Sequence, residues 1–135
     1  MSAPVRPFVD TNVLLYLLSS DAVKADRAEA VLAGRIVISV QVLNEFANVA
    51  RRKLRLEWSA IEQALRDIRR FAEVFPLTLE THERGIALAS RYQLTVYDAM
   101  IAAAALEAGC ETLASEDFSA GQRLDGRLTV RNPFA

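Results

Sequence analysis

Five short apolar runs, each about as long as a strand, alternate with longer stretches whose apolar residues recur at helical spacing. This alternation limits the chain to an α/β domain with a mainly parallel sheet. The strand candidates are Phe8–Asp10, Ile36–Ile38, Val74–Leu77, Thr112–Ala114 and Leu128–Arg131. Helices are expected over 12–18, 22–33, 40–54, 59–73, 81–92 and 97–108, with Ser59 and Glu62 in capping-box spacing at the start of the fourth. No linker or repeat interrupts the pattern, so residues 1–135 read as one domain.

Composition narrows the chemistry. The 16 basic and 17 acidic residues nearly cancel, so any attraction for nucleic acid has to be local. Lysine occurs only at Lys24 and Lys53. With a single cysteine, Cys110, and a single histidine, His82, the chain has no disulfide framework, no Cys/His zinc site of its own and no paired-histidine chemistry. A reducing, cytoplasmic setting fits. The opening "MSAPVRP" lacks the basic-then-apolar form of a secretory leader, and "AMIAAAALEA" is too short to span a bilayer.

The functional question sits in "RPFVDTNVLLYLL", where a strand-forming run breaks at Asp10, Thr11 and Asn12 and continues as a helix. In an open parallel sheet, ligands bind beyond the carboxyl ends of the strands, where strand order reverses. Asp10 stands at such an end, and "TLASED" is a second. Each acid also has a plain reading. Asp10, Thr11 and Asn12 are all good helix caps. Glu45 lies on the border of an apolar arc formed by Val42, Leu43, Phe46, Val49, Ala50 and Leu54, where a pocket-lining glutamate would sit but where an ordinary solvated one is the commoner occupant. Asp98 follows Thr95 by three residues and would favour the helix dipole. After Ser115, the spacing does not decide whether Glu116 or Asp117 turns inward. Together, however, these acids fall at strand ends or helix starts that the topology directs to one side of the sheet. Two carboxylates about 5 Å apart repel by roughly 3 kcal/mol at an effective dielectric near 20. A convergent set therefore calls for a cation, and an all-oxygen set suits Mg²⁺ or Mn²⁺ rather than Zn²⁺.

The segments "VDTNVLLYLL", "NEFANV", "YDAMIAAAALEAGCETLASEDF" and "LTVRNPF" resemble the PIN domain family, most closely its VapC-type toxins. The resemblance covers nearly the whole chain, and it is specific as the ordered set D-T-N, N-E, D-A and S-E-D. It implies an α/β/α sandwich around a mainly parallel sheet of four to five short strands. It also implies an endoribonuclease using Mg²⁺, with Mn²⁺ as a substitute. Carried over by position, the catalytic acids are Asp10, Glu45, Asp98 and Asp117. Asp10, Asp98 and Asp117 hold metal, while Thr11, Asn12 and Ser115 orient the acids or water. Many relatives have a neutral residue at the position of Glu116 and a further Asp at that of Ser119, which favours Asp117 over Glu116. A homodimer and a small VapB-like antitoxin, whose basic side chain enters the acidic pocket, are the implied partners.

Arg51, Arg52 and Arg55, with Lys53, end the helix that carries Glu45, and Arg66, Arg69 and Arg70 follow on the next. Contact with RNA, contact with a partner and a solvated helix end are three uses open to them. Two other functions remain: a PIN-type nuclease of RNA processing or decay outside a toxin pair, and a non-catalytic metal- or RNA-binding module. A receiver-like switch is disfavoured because both lysines come too early. A haloacid-dehalogenase phosphatase is disfavoured because Asn12 stands where its second Asp is needed.

Overall fold

The computed structural model describes residues 6–135; the first five residues of the opening segment lie outside the described residues. Six strands, β1 (Phe8–Val9), β2 (Ile36–Ser39), β3 (Ala72–Phe75), β4 (Thr112–Ala114), β5 (Arg123–Leu124) and β6 (Leu128–Arg131), form one sheet in the order β3-β2-β1-β4-β6-β5. Every pairing is parallel except β5 with β6. The helices are α1 (Thr11–Leu15), α2 (Ala22–Leu32), α3 (Val40–Arg52), α4 (Trp58–Phe71), α5 (Leu79–Tyr92) and α6 (Val96–Glu107), with a short 3-10 turn at Tyr16–Leu18.

From β1 the chain steps to β2 and then β3 in one direction, and then crosses to β4 on the other side of β1. Right-handed crossovers therefore place α1–α4 on one face and α5–α6 on the other, giving the expected three-layer α/β/α arrangement. The strand order reverses between β1 and β4. Phe8, Val9, Ile36, Val37, Ile38 and Leu113 are fully buried, because the central strands are covered on both faces. Helix α6 is buried along Ala99–Leu106, and its small side chains let α5 pack closely. At the tightest point Gly85 of α5 faces Met100: a Cβ there would lie 2.5 Å from Met100 Cε. Cys110, just after α6, is buried, which pushes its thiol up to about 11 and keeps it protonated.

Several local expectations need correction. Among the described residues the sheet has six strands rather than four or five. The additional β5 is two residues long and returns through Asp125 and Gly126, both at positive φ. Helix α4 starts at Trp58 with Glu57 as its N-cap, so Ser59 and Glu62 fall inside its first turns and form no capping box. The chain leaves that helix at Ala72 and enters β3 directly, earlier than the apolar spacing suggested. The capping box belongs to α5, where Thr78 accepts from the Thr81 backbone and Thr81 Oγ1 accepts from the Thr78 backbone. Ser39 occupies the N-cap position of α3, but its Oγ is buried with no hydrogen-bond partner among the described residues. Among the described residues no helix is long and apolar enough to cross a membrane.

Candidate metal centre

Asp10 immediately follows β1, and its backbone N–H donates to Ala114 O at 3.0 Å, extending the β1–β4 ladder by one bond. The carboxylate is thereby held at the reversal point, where it is 2% exposed. It also caps α1, accepting from Thr11 N at 2.7 Å, so the capping and pocket readings hold together. Its other oxygen accepts from Ser115 Oγ at 2.7 Å. Burial nevertheless pushes Asp10 up to about 7; the Ser115 and Thr11 hydrogen bonds oppose this, and the charges of Asp117 and Asp98 add to it.

Asn12 ties the first and last acidic segments together. Its Nδ2 donates to Asp117 Oδ2 at 3.0 Å, to Ser115 Oγ at 3.3 Å and to Asp10 Oδ2 at 3.4 Å, while its Oδ1 accepts from Glu116 N at 3.4 Å. The loop after β4 is fixed further by Asp117 N donating to Ser115 Oγ at 3.0 Å. Asp98 lies in the first turn of α6, whose N-cap Thr95 accepts from Asp98 N at 3.1 Å. Burial raises its pKa, and the charges of Asp117 and Glu45 raise it further. One carboxylate oxygen each from Asp10, Asp98 and Asp117 lie within 4.8 Å of one another.

Glu45 approaches from α3 but is not one of these three. Thr11 Oγ1 donates to its Oε2 at 2.8 Å and Gln41 Nε2 to its Oε1 at 2.9 Å, which fixes its orientation one step back. Glu116 turns away: Tyr16 Oη donates to its Oε1 at 2.6 Å, and Lys24 Nζ donates to Tyr16 Oη at 3.1 Å. Gln41 and Tyr16 escaped the sequence reading. Gln41 had a usable signal, four residues before Glu45 on the same helix face. Tyr16 had none, since its partner is 100 residues away.

No salt bridge joins the arginine cluster to the three acids among the described residues, and Lys53, within the cluster, lines a hollow with Asn12 and Glu116. Arg51 Nη1 donates to Leu56 O at 3.1 Å and its guanidinium lies 5.2 Å from the Trp58 ring centroid, so Arg51 fastens the turn between α3 and α4. Arg52 and Arg55 are exposed.

No salt bridge engages Asp10, Asp98 or Asp117 among the described residues. Three clustered carboxylates, one of them buried, thus have no ion-pair partner among the described residues to offset them. Hard oxygen donors with one buried member and a fixed hydrogen-bonded surround fit a hard divalent ion.

Comparison with known proteins identifies the family and the fold. The model of the PIN domain family matches residues 8–121. Among solved structures, a toxin–antitoxin complex from Klebsiella pneumoniae superposes with TM-score 0.71 at 24% identity, covering 94% of this chain and 97% of that one. A Mycobacterium tuberculosis VapC toxin described as cleaving the sarcin–ricin loop gives 0.69 at 23% identity, covering 89% and 98%. A VapBC complex from Rickettsia felis, bound to a fragment of its promoter, gives 0.67 at 18%, covering 93% and 96%. No curated protein matches by sequence. At these identities the structures speak for the fold, and the family model, spanning most of the chain, speaks for descent: the chain belongs to the PIN domain family.

Proposed function

We propose that this chain is a single-domain, divalent-metal-dependent endoribonuclease and the cytoplasmic toxin of a VapBC-type pair. The observation that carries the reading is the convergence of Asp10, Asp98 and Asp117 within 4.8 Å, with no salt bridge to any of them among the described residues. Asp10, Asp98 and Asp117 would hold the ion, proposed as Mg²⁺ with Mn²⁺ as a substitute, because all three donors are hard oxygens. When bound, such an ion supplies a lowered pKa for water and offsets charge developing on the phosphoryl oxygens. The chain's own polar groups then set orientation. Ser115 and Thr11 fix Asp10, Asn12 holds Asp117 against Asp10, and Thr11 with Gln41 aims Glu45. Glu45 adds a fourth negative charge, close enough to raise Asp98.

Water is the proposed nucleophile, because the only histidine is exposed on α5 and the only thiol is buried and protonated. Similar structures that are toxin–antitoxin complexes support a small protein partner, and the toxin described as cutting the sarcin–ricin loop supports RNA as substrate. The test is cleavage of RNA by the native protein with Mg²⁺, with excess EDTA, and after Asp98→Asn. The expected result is cutting only in the first, with 5′-phosphate and 3′-hydroxyl ends. Activity in EDTA would remove the metal; 2′,3′-cyclic phosphate ends would replace water by the ribose hydroxyl as nucleophile.

A further inference from the structure

On the β4–β6–β5 side of the sheet, the connection between β4 and β6 contains no helix, and the sheet edge is left with an open concavity of about 760 Å³. Alternation along β6 turns Leu128 and Val130 into the core and Thr129 and Arg131 to the other face. Register places Thr112 of β4 and Arg123 of β5 beside Thr129 on that same face. Arg127, in the turn before β6, also lines the concavity.

Three arginines and two threonines thus line one hollow, against a single carboxylate, Glu111, at its margin. None of the three arginines forms a salt bridge among the described residues. Arg127 is anchored through Nη2 to Leu106 O at 3.1 Å, and Arg123 is anchored to Gly126 O, so both guanidinium groups are held in place with donors to spare. Arg131 makes no side-chain hydrogen bond among the described residues. It lies at the end of the strand nearest the acidic centre, where its carbonyl accepts from the N–H of Ser115 at 3.0 Å, and Ser115 in turn donates to Asp10.

We propose that this face is a phosphodiester-binding track, a second RNA contact that carries the strand from the turn at Arg127 past Arg123 and Thr129 to Arg131 and so toward the acids. The proposal rests on the nuclease reading for its ligand and on the arginine geometry for its position. Guanidinium groups with fixed forks and no carboxylate partner suit phosphate oxygens, and threonine hydroxyls add neutral donors. Carboxylates repel an approaching backbone, so cations set to one side of the centre would hold the strand in place.

The test uses the full chain and a 20-nucleotide single-stranded RNA of mixed sequence, with Ca²⁺ in place of Mg²⁺. Arg123→Gln with Arg131→Gln should weaken binding about tenfold and reduce the slope of log affinity against log salt by about 1.4, twice the value of ~0.7 per contact. A control pair, Arg35→Gln with Arg84→Gln, removes the same charge elsewhere and should leave the slope unchanged. An equal effect of both pairs would reduce the face to general electrostatics and overturn the proposal, as would an unchanged slope in the Arg123/Arg131 variant. If the native protein cuts no RNA, the nuclease reading fails separately, and the slope measurement still decides whether the face binds phosphate.

Discussion

At pH 8 and without a divalent ion, Asp10 carries a charge that its buried surroundings disfavour. The folded state holds the Asp10 proton up to about 7, against 3.8 for the free side chain. The folded protein thus binds that proton more tightly than the unfolded chain. The associated stability is fully present below pH 3.8 and is lost as pH rises through about 7, an effect on the order of 4 kcal/mol. In EDTA, Asp10→Asn should therefore melt no lower than native at pH 8, and its advantage over native should shrink toward pH 5. Mg²⁺ should raise the native melting temperature at pH 8, do so far less at pH 5 where the proton competes, and leave Asp10→Asn unmoved. A native melting curve indifferent to Mg²⁺ at pH 8 would contradict the metal reading. The sequence made the acids legible because each falls at a strand end or helix start. Spacing alone could not choose between Glu116 and Asp117, although the family resemblance favoured Asp117, since what separates them is Tyr16, folded back from the first helical segment, which draws Glu116 away.

Helix α5 meets α6 at Gly85, where a methyl group would clash only with the flexible end of Met100. Alanine gains roughly 1 kcal/mol of helix propensity over glycine, which the displaced Met100 should largely return. Gly85→Ala should accordingly be near neutral in chemical denaturation. Gly85→Val adds bulk that the Ala99 carbonyl side cannot accept and should cost about 2–3 kcal/mol; equal stability of the two would mean the helices can move apart. Thr78→Ala should cost about 1 kcal/mol by removing the α5 cap. The same reading of spacing that found the helices misplaced the start of α4, because Ser59–Glu62 mimics a cap one turn inside the helix. It passed over β5 because two residues carry no period, although Asp125–Gly126 is a strong hairpin signal. β1 and β2 were legible because they are buried on both faces and so stay apolar without interruption, and β6 was legible from the alternation of Leu128 and Val130 with Thr129 and Arg131.

Across the whole molecule, Leu54 and Trp58 are 44% and 55% exposed around the α3–α4 turn, and Leu18 adds 44%. Large apolar side chains left open in this way suit a self-complementary contact. A homodimer is the expected state, seen as twice the chain mass by light scattering at tens of micromolar. Trp58→Arg should shift it to monomer while cleavage of a short RNA persists in part; a native monomer at that concentration would set the dimer aside. The strand order described above has a further consequence for the chain as it is made. Asp10 emerges before β4, so β1 lacks its β4 neighbour, and the acidic centre lacks its third carboxylate, until residues 112–117 have left the ribosome. A nascent chain, or one cut short before Asp117, therefore holds no complete centre, and the order of synthesis itself keeps the three carboxylates apart until Asp117 can fold back onto β1.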